Sequence, residues 1–133
     1  MSEAACKAEQ EKELVLLESL IPNQIQRSLD FPEFTVVGIV PYSDKSQENF
    51  VTMDIRFFYA PLYPISEFLE HSISSISGGY IASYGDRING FDDMVRGEIR
   101  AAGLGRTIVP LILEKIISFL GENNFDDPIP QVN

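Results

Sequence analysis

Apolar residues recur at helical spacing over residues 3–20, where Leu14, Leu17 and Ile21 make one stripe flanked by Leu16 and Leu20. Glu9, Glu11, Glu13 and Glu18 take the other side, so the segment predicts an amphipathic helix with its carboxylates in water. Pro22 stops it, because proline disfavours helical geometry in the residue before it. Ile25, Arg27 and Leu29 then alternate as a weak first strand. Residues 34–40, FTVVGIV, are β-branched and apolar on both faces, which predicts an interior strand. The cleanest period of two covers residues 50–58. Val51, Met53, Ile55 and Phe57 share one side; Thr52, Asp54, Arg56 and Phe58 share the other. The polar link PYSDKSQEN between these two strands predicts a hairpin.

Residues 59–64, YAPLYP, cannot lie inside a sheet or helix. Tyr59, Pro61, Tyr63 and Pro64 predict a rigid turn in which aromatic rings pack on proline rings. Leu69, His71, Ile73 and Ser75 alternate as a fourth strand, and the Ser- and Gly-rich stretch from Ser74 to Gly90 reads as a loop. Phe91, Met94, Val95, Ile99 and Ala102 mark a helix with Asp92 and Asp93 in its first turn, where the helix dipole favours negative charge. Gly97 weakens that helix, and Gly103 and Gly105 break it. The last helix covers residues 108–120, with Thr107 as N-cap, Pro110 in the first turn and Gly121 as the stop. Residues 123–133 form a polar, acidic tail or linker after a single domain over residues 1–122. Strands grouped ahead of the last two helices predict an α+β fold. The expected architecture is an α-β-β-β-β-α-α sandwich: a four-stranded antiparallel meander with helices covering one face.

Charge narrows the partners. Ten Lys and Arg stand against 20 Asp and Glu, a net charge of −10, so phosphate backbones and anionic lipid repel this surface. A protein partner with a basic or mixed surface fits; nucleic acid and membrane do not. No apolar run is long enough to span a bilayer, and the acidic start MSEAACKAEQEKE is not a secretory or transit leader. Cys6 is the only cysteine, so no internal disulfide forms, and a reducing cytoplasmic or nuclear setting is expected.

Three stretches together resemble the RWD domain, a relative of the ubiquitin-conjugating fold. EKELVLLESLIP, residues 11–22, is similar to the family's acidic, leucine-rich opening, with Ile21 where an aromatic is usual. DIRFFYAPLYP, residues 54–64, is similar to its strand leading into Tyr-Pro-x-x-x-Pro, with Phe68 where a second proline is usual. GLGRTIVPLILEKIISFL, residues 103–120, is similar to its glycine-containing loop before an apolar last helix. The resemblance implies a non-catalytic protein-interaction module, in translational stress control or as a regulatory adaptor. A ubiquitin-pathway accessory, like an inactive conjugating-enzyme variant, is the alternative.

Candidate chemistry is thin. A conjugating enzyme needs a thiolate nucleophile, but Cys6 precedes every strand with only Lys7 beside it, and reads as an incidental surface cysteine. His71, the sole histidine, lacks neighbours for a zinc site or a triad and reads as structural or surface. Gly103-Leu104-Gly105 and the Gly85–Gly90 spacing lack the lysine and the strand context of phosphate loops. No catalytic, metal or cofactor site is expected. The candidate partner-binding residues are Glu114 and Glu122 with the acidic first helix, Arg96 and Arg100 from a basic cluster that includes Arg87 and Arg106, and Phe58 on the polar side of its strand.

Overall fold

A computed structural model describes residues 2–29, 32–42, 47–78 and 85–124. The elements in chain order are α1 (Glu3–Leu20), β1 (Ile25–Arg27), β2 (Glu33–Ile39), β3 (Thr52–Phe58), β4 (Glu70–Ser77), α2 (Gly85–Ala102) and α3 (Val109–Glu122). The strands lie in the order β1-β2-β3-β4, and every neighbouring pair is antiparallel. This is the expected α+β meander, with β2 and β3 in its interior. No helix among the described residues is long and apolar enough to cross a membrane.

One face of the sheet is apolar. Phe34, Val36, Ile39, Met53, Ile55 and Phe57 are buried on it, as period-two spacing requires. The helices bury Leu14 and Leu17 from α1, Phe91, Val95 and Ile99 from α2, and Ile112, Ile116 and Leu120 from α3 in the same core. Rings meet along it: Phe34 lies 5.6 Å from Phe57 and 5.3 Å from Tyr59, and Phe91 packs edge-on against Phe119 at 5.5 Å. The other face carries Thr35, Asp54, Arg56 and Ser72, with Arg56 and Glu33 paired at 3.5 Å.

Asp54, at the middle of this outer face, ties down a bulge on each side of β3. Its Oδ1 accepts from the Gly38 N–H at 2.8 Å, and its Oδ2 from the Ser75 hydroxyl at 3.1 Å. Gly38 takes φ +66 at the β2 irregularity, a conformation that favours glycine. Gly78, at the end of β4, has φ +91 and passes so close to Phe50 that a Cβ would sit 1.9 Å from its carbonyl oxygen.

Several expectations need correction. Ser74 to Gly90 is not one loop: β4 runs to Ser77 and α2 begins at Gly85, while residues 79–84 lie outside the described ones. A β4 bulge reverses the alternation after Ile73, so Ile76 turns inward and Ser75 outward. Asp92 and Asp93 are therefore in mid-helix, beyond the reach of the N-terminal dipole, and their partners are side chains. Asp92 bonds His71 and Arg96, and Asp93 pairs with Arg96. Leu29 lies past the end of β1 and is fully exposed. Gly121 does not stop α3, which continues to Glu122 and is capped by Asn123. The expected tail lies outside the described residues from 125 on. Its first residues, Asn123 and Asn124, are anchored, and Asn124 Oδ1 accepts from the Phe50 N–H at 2.7 Å. Cys6 is buried, because it begins the inward line Cys6, Gln10, Glu13, Leu14 and Leu17 of α1.

Candidate functional site

The inward line of α1 holds two polar residues where only apolar ones were expected. Glu13 is i−4 from Leu17 and adjacent to Leu14, so helical geometry turns it to the core despite its charge. Its burial is made tolerable by three donors. Oε1 accepts from the Tyr59 hydroxyl at 2.9 Å and the Tyr63 hydroxyl at 3.0 Å; Oε2 accepts from the Val109 N–H at 2.9 Å. Tyr63 Oη in turn accepts from the Ile108 N–H at 2.8 Å. Gln10 Nε2 donates to the carbonyls of Ala60 and Tyr63 at 3.1 and 2.9 Å. Tyr59 and Tyr63 stack at 5.1 Å, and the Tyr63–Pro64 peptide is cis.

This network explains why Thr107 does not cap α3. The helix begins after Ile108 with no side-chain cap of its own. Two of its otherwise unpaired N–H groups are taken by Tyr63 and by Glu13, from elements far back in the chain. Burial raises the Glu13 carboxyl above its ordinary 4.5, against the lowering effect of its bonds from Val109, Tyr59 and Tyr63. Burial first, and then the Glu13 charge, push both tyrosine hydroxyls upward, so they stay protonated donors. The turn, α1 and the start of α3 are thereby fixed against one another.

The two helices so fixed frame an apolar groove. A cavity of about 300 Å³ opens between the end of α1, the end of β2 and the first turns of α3. Leu17, Leu20, Ile21, Ile39 and Leu113 line it, and Glu114 stands among them as its one acidic residue. Leu20 is 60% exposed and Ile117 41% exposed at this groove, although both are large and apolar.

The other candidates fall on separate surfaces. Arg96 and Arg100 line a second hollow with Phe68, Glu70 and His71, between β4 and α2. Arg96 is already engaged: it donates to Asp92 at 2.7 Å, and Asp92 bonds His71 Nε2 at 2.8 Å. The His71 side chain is only 5% exposed, which makes it a packed structural residue. Arg100 lies over the Phe68 ring at 5.3 Å. Phe58, 39% exposed, lines a third hollow with Pro32, Pro61 and Lys7. Glu122 is exposed at the end of α3 and lines none of these hollows. Of the basic cluster, the structure joins Arg96 with Arg100 only; Arg106 is exposed in the loop after α2, and the Arg87 side chain lies outside the described ones.

Sequence reasoning missed Gln10 and Glu13 because it sorted residues by charge. The available signal was angular: on the helical wheel position 10 lies between the directions of Leu14 and Leu17, and position 13 lies about 40° from Leu17 on its other side. Leu20 at the groove was read only as a flank of the buried stripe.

No protein-family model and no curated protein matches the sequence. Solved structures do match the fold. The solution structure of the RWD domain of mouse GCN2 superposes with a TM-score of 0.74 at 20% identity, covering 92% of this chain and 90% of that one. Three helices, a four-stranded antiparallel meander and this superposition together give the chain an RWD-like fold.

Proposed function

We propose that the chain is a non-catalytic protein-interaction module that takes its partner in the groove between α1 and α3. The observation that carries this reading is the groove itself: large apolar side chains, Leu20 and Ile117, left exposed beside Glu114. An apolar centre with a charged rim is the arrangement in which a few side chains supply most of the binding energy. The net charge of −10 favours a partner with a basic or mixed surface and speeds their encounter. The RWD-like fold supports the same reading. Translational stress control and a regulatory adaptor role are its narrower forms, set by which partner is found.

The test is affinity purification from cells, followed by titration of the purified partner. Leu20→Glu and Ile117→Glu are expected to weaken binding at least about tenfold, a change of about 1.4 kcal/mol, with unchanged unfolding curves. Glu114→Lys is expected to slow association and flatten its salt dependence. A partner that binds all three variants like the parent chain overturns the assignment of the groove. Saturable binding of ubiquitin, with the groove variants unaffected, favours the ubiquitin-pathway alternative.

A further inference from the structure

We propose that two copies of this chain pair edge to edge along β4, antiparallel, about a two-fold axis between Ser74 and Ser75. Residues 72–77 read Ser-Ile-Ser-Ser-Ile-Ser, the same in either direction. β4 is an edge strand, and among the described residues no strand lies on its outer side. The two edges of the sheet are treated differently. β1 has three residues, and its Arg27 is bonded to Glu11 and Glu18 of α1 at 3.1 and 2.7 Å, so that edge is short and charged. β4 has eight residues, no proline, no lysine, and Glu70 as its one acidic side chain. Its last six residues are uncharged and hold no proline, and the one guard against strand addition among them is the bulge at Ser74.

A palindrome alone would not make this edge self-complementary. In a regular strand Ile73 and Ile76, three positions apart, point to opposite faces. The β4 bulge removes the conflict. Asp54 sits opposite Ser75 and Ile55 opposite Ile73, so Ser74 is the extra residue. Ile73 and Ile76 are then both half-buried on the core face, while Ser72, Ser74, Ser75 and Ser77 are all exposed. The bond from Ser75 to Asp54 holds that bulge in place. Under the two-fold operation Ser72 faces Ser77 of the partner subunit, Ile73 faces Ile76 of the partner subunit, and Ser74 faces Ser75 of the partner subunit. Each residue meets one on the same face, the two isoleucine pairs sit on the core side, and the contact is isologous and closes. Two chains of charge −10 repel at long range, but the paired segment is neutral. Salt screens the repulsion, so this association tightens as salt rises, opposite to capture of a basic partner.

Sedimentation of the full chain from on the order of 10 µM to 1 mM tests the proposal, since a short edge contact gives affinities in that range. The expected result is a concentration-dependent dimer that strengthens with salt. Ser72→Glu with Ser77→Glu places like charges opposite each other at both ends and weakens the dimer at least tenfold. Ser72→Glu with Ser77→Lys places opposite charges there and restores it. Ser74→Lys, which brings two lysines to the axis, is a second disrupting variant should the double glutamate fail to fold. A monomer throughout, a dimer indifferent to these changes, or a loss that the Glu/Lys pair does not restore overturns the proposal. So does a dimer abolished by Ile117→Glu instead, which places the contact on the groove.

Discussion

Glu13 is a carboxylate in the core, held by two phenol hydroxyls and a helix-terminal N–H. Glu13→Ala strips all three donors of their acceptor and leaves a void, and is expected to destabilise the fold by about 3 kcal/mol or more, measured by urea unfolding. Tyr59→Phe leaves Tyr63 on the same oxygen and is expected to cost about 1 kcal/mol. The pH dependence has a definite sign. Burial lifts the folded carboxyl above 4.5, so between that value and the raised one the folded chain keeps a proton the unfolded chain has released. Unfolding free energy therefore falls as pH rises through that window. Glu13→Gln, which cannot titrate, should lack this slope when urea midpoints are compared between about pH 4 and pH 8. At this scale the sequence was misleading: charge placed Glu13 in water, while its angular position placed it in the core.

At the scale of the element, α1 separates cleanly into two faces. Leu17→Ala opens a cavity in the core and is expected to cost about 2–5 kcal/mol. Leu20→Ala, at an exposed position, should shift the unfolding midpoint little. The sequence put Leu17 in the stripe and Leu20 on its flank; the neighbouring elements decide that the flank stays exposed. β4 shows the opposite limit. Leu69 just before it and its inward residues His71 and Ile73 followed the period of two, but the bulge at Ser74 shifted everything after it. Gly78→Ala combines a positive φ with a Cβ driven into the Phe50 carbonyl, and is expected to destabilise by about 2 kcal/mol or more by thermal or urea unfolding. The start of α2 was not legible because Gly85 to Gly90 carries no strong apolar period, and Asp92, read as a dipole partner, is instead the acceptor for His71 and Arg96.

For the molecule as a whole, one sheet face packs against three helices and the other carries polar side chains. The groove between α1 and α3 and the edge of β4, unpaired among the described residues, are distinct surfaces, so the proposed partner and the proposed second copy would not compete. Raising salt should therefore separate them in a single sample: partner capture weakens while self-association strengthens. Equal responses of the two, read by sedimentation with and without partner, would show that they share one surface.

Outside residues 74–77 and 85–90, the local pattern of the chain determined which segments extend and which coil, the antiparallel order and the apolar face of β3, because period and turn chemistry are properties of neighbouring residues. Tertiary structure alone decided that Glu13 caps a helix 96 residues away, that Asp54 pins a bulge on either side of it, and that Leu20 stays in water while Leu17 does not. Those outcomes depend on which distant groups arrive beside a side chain, and that is set by packing rather than by any spacing along the sequence.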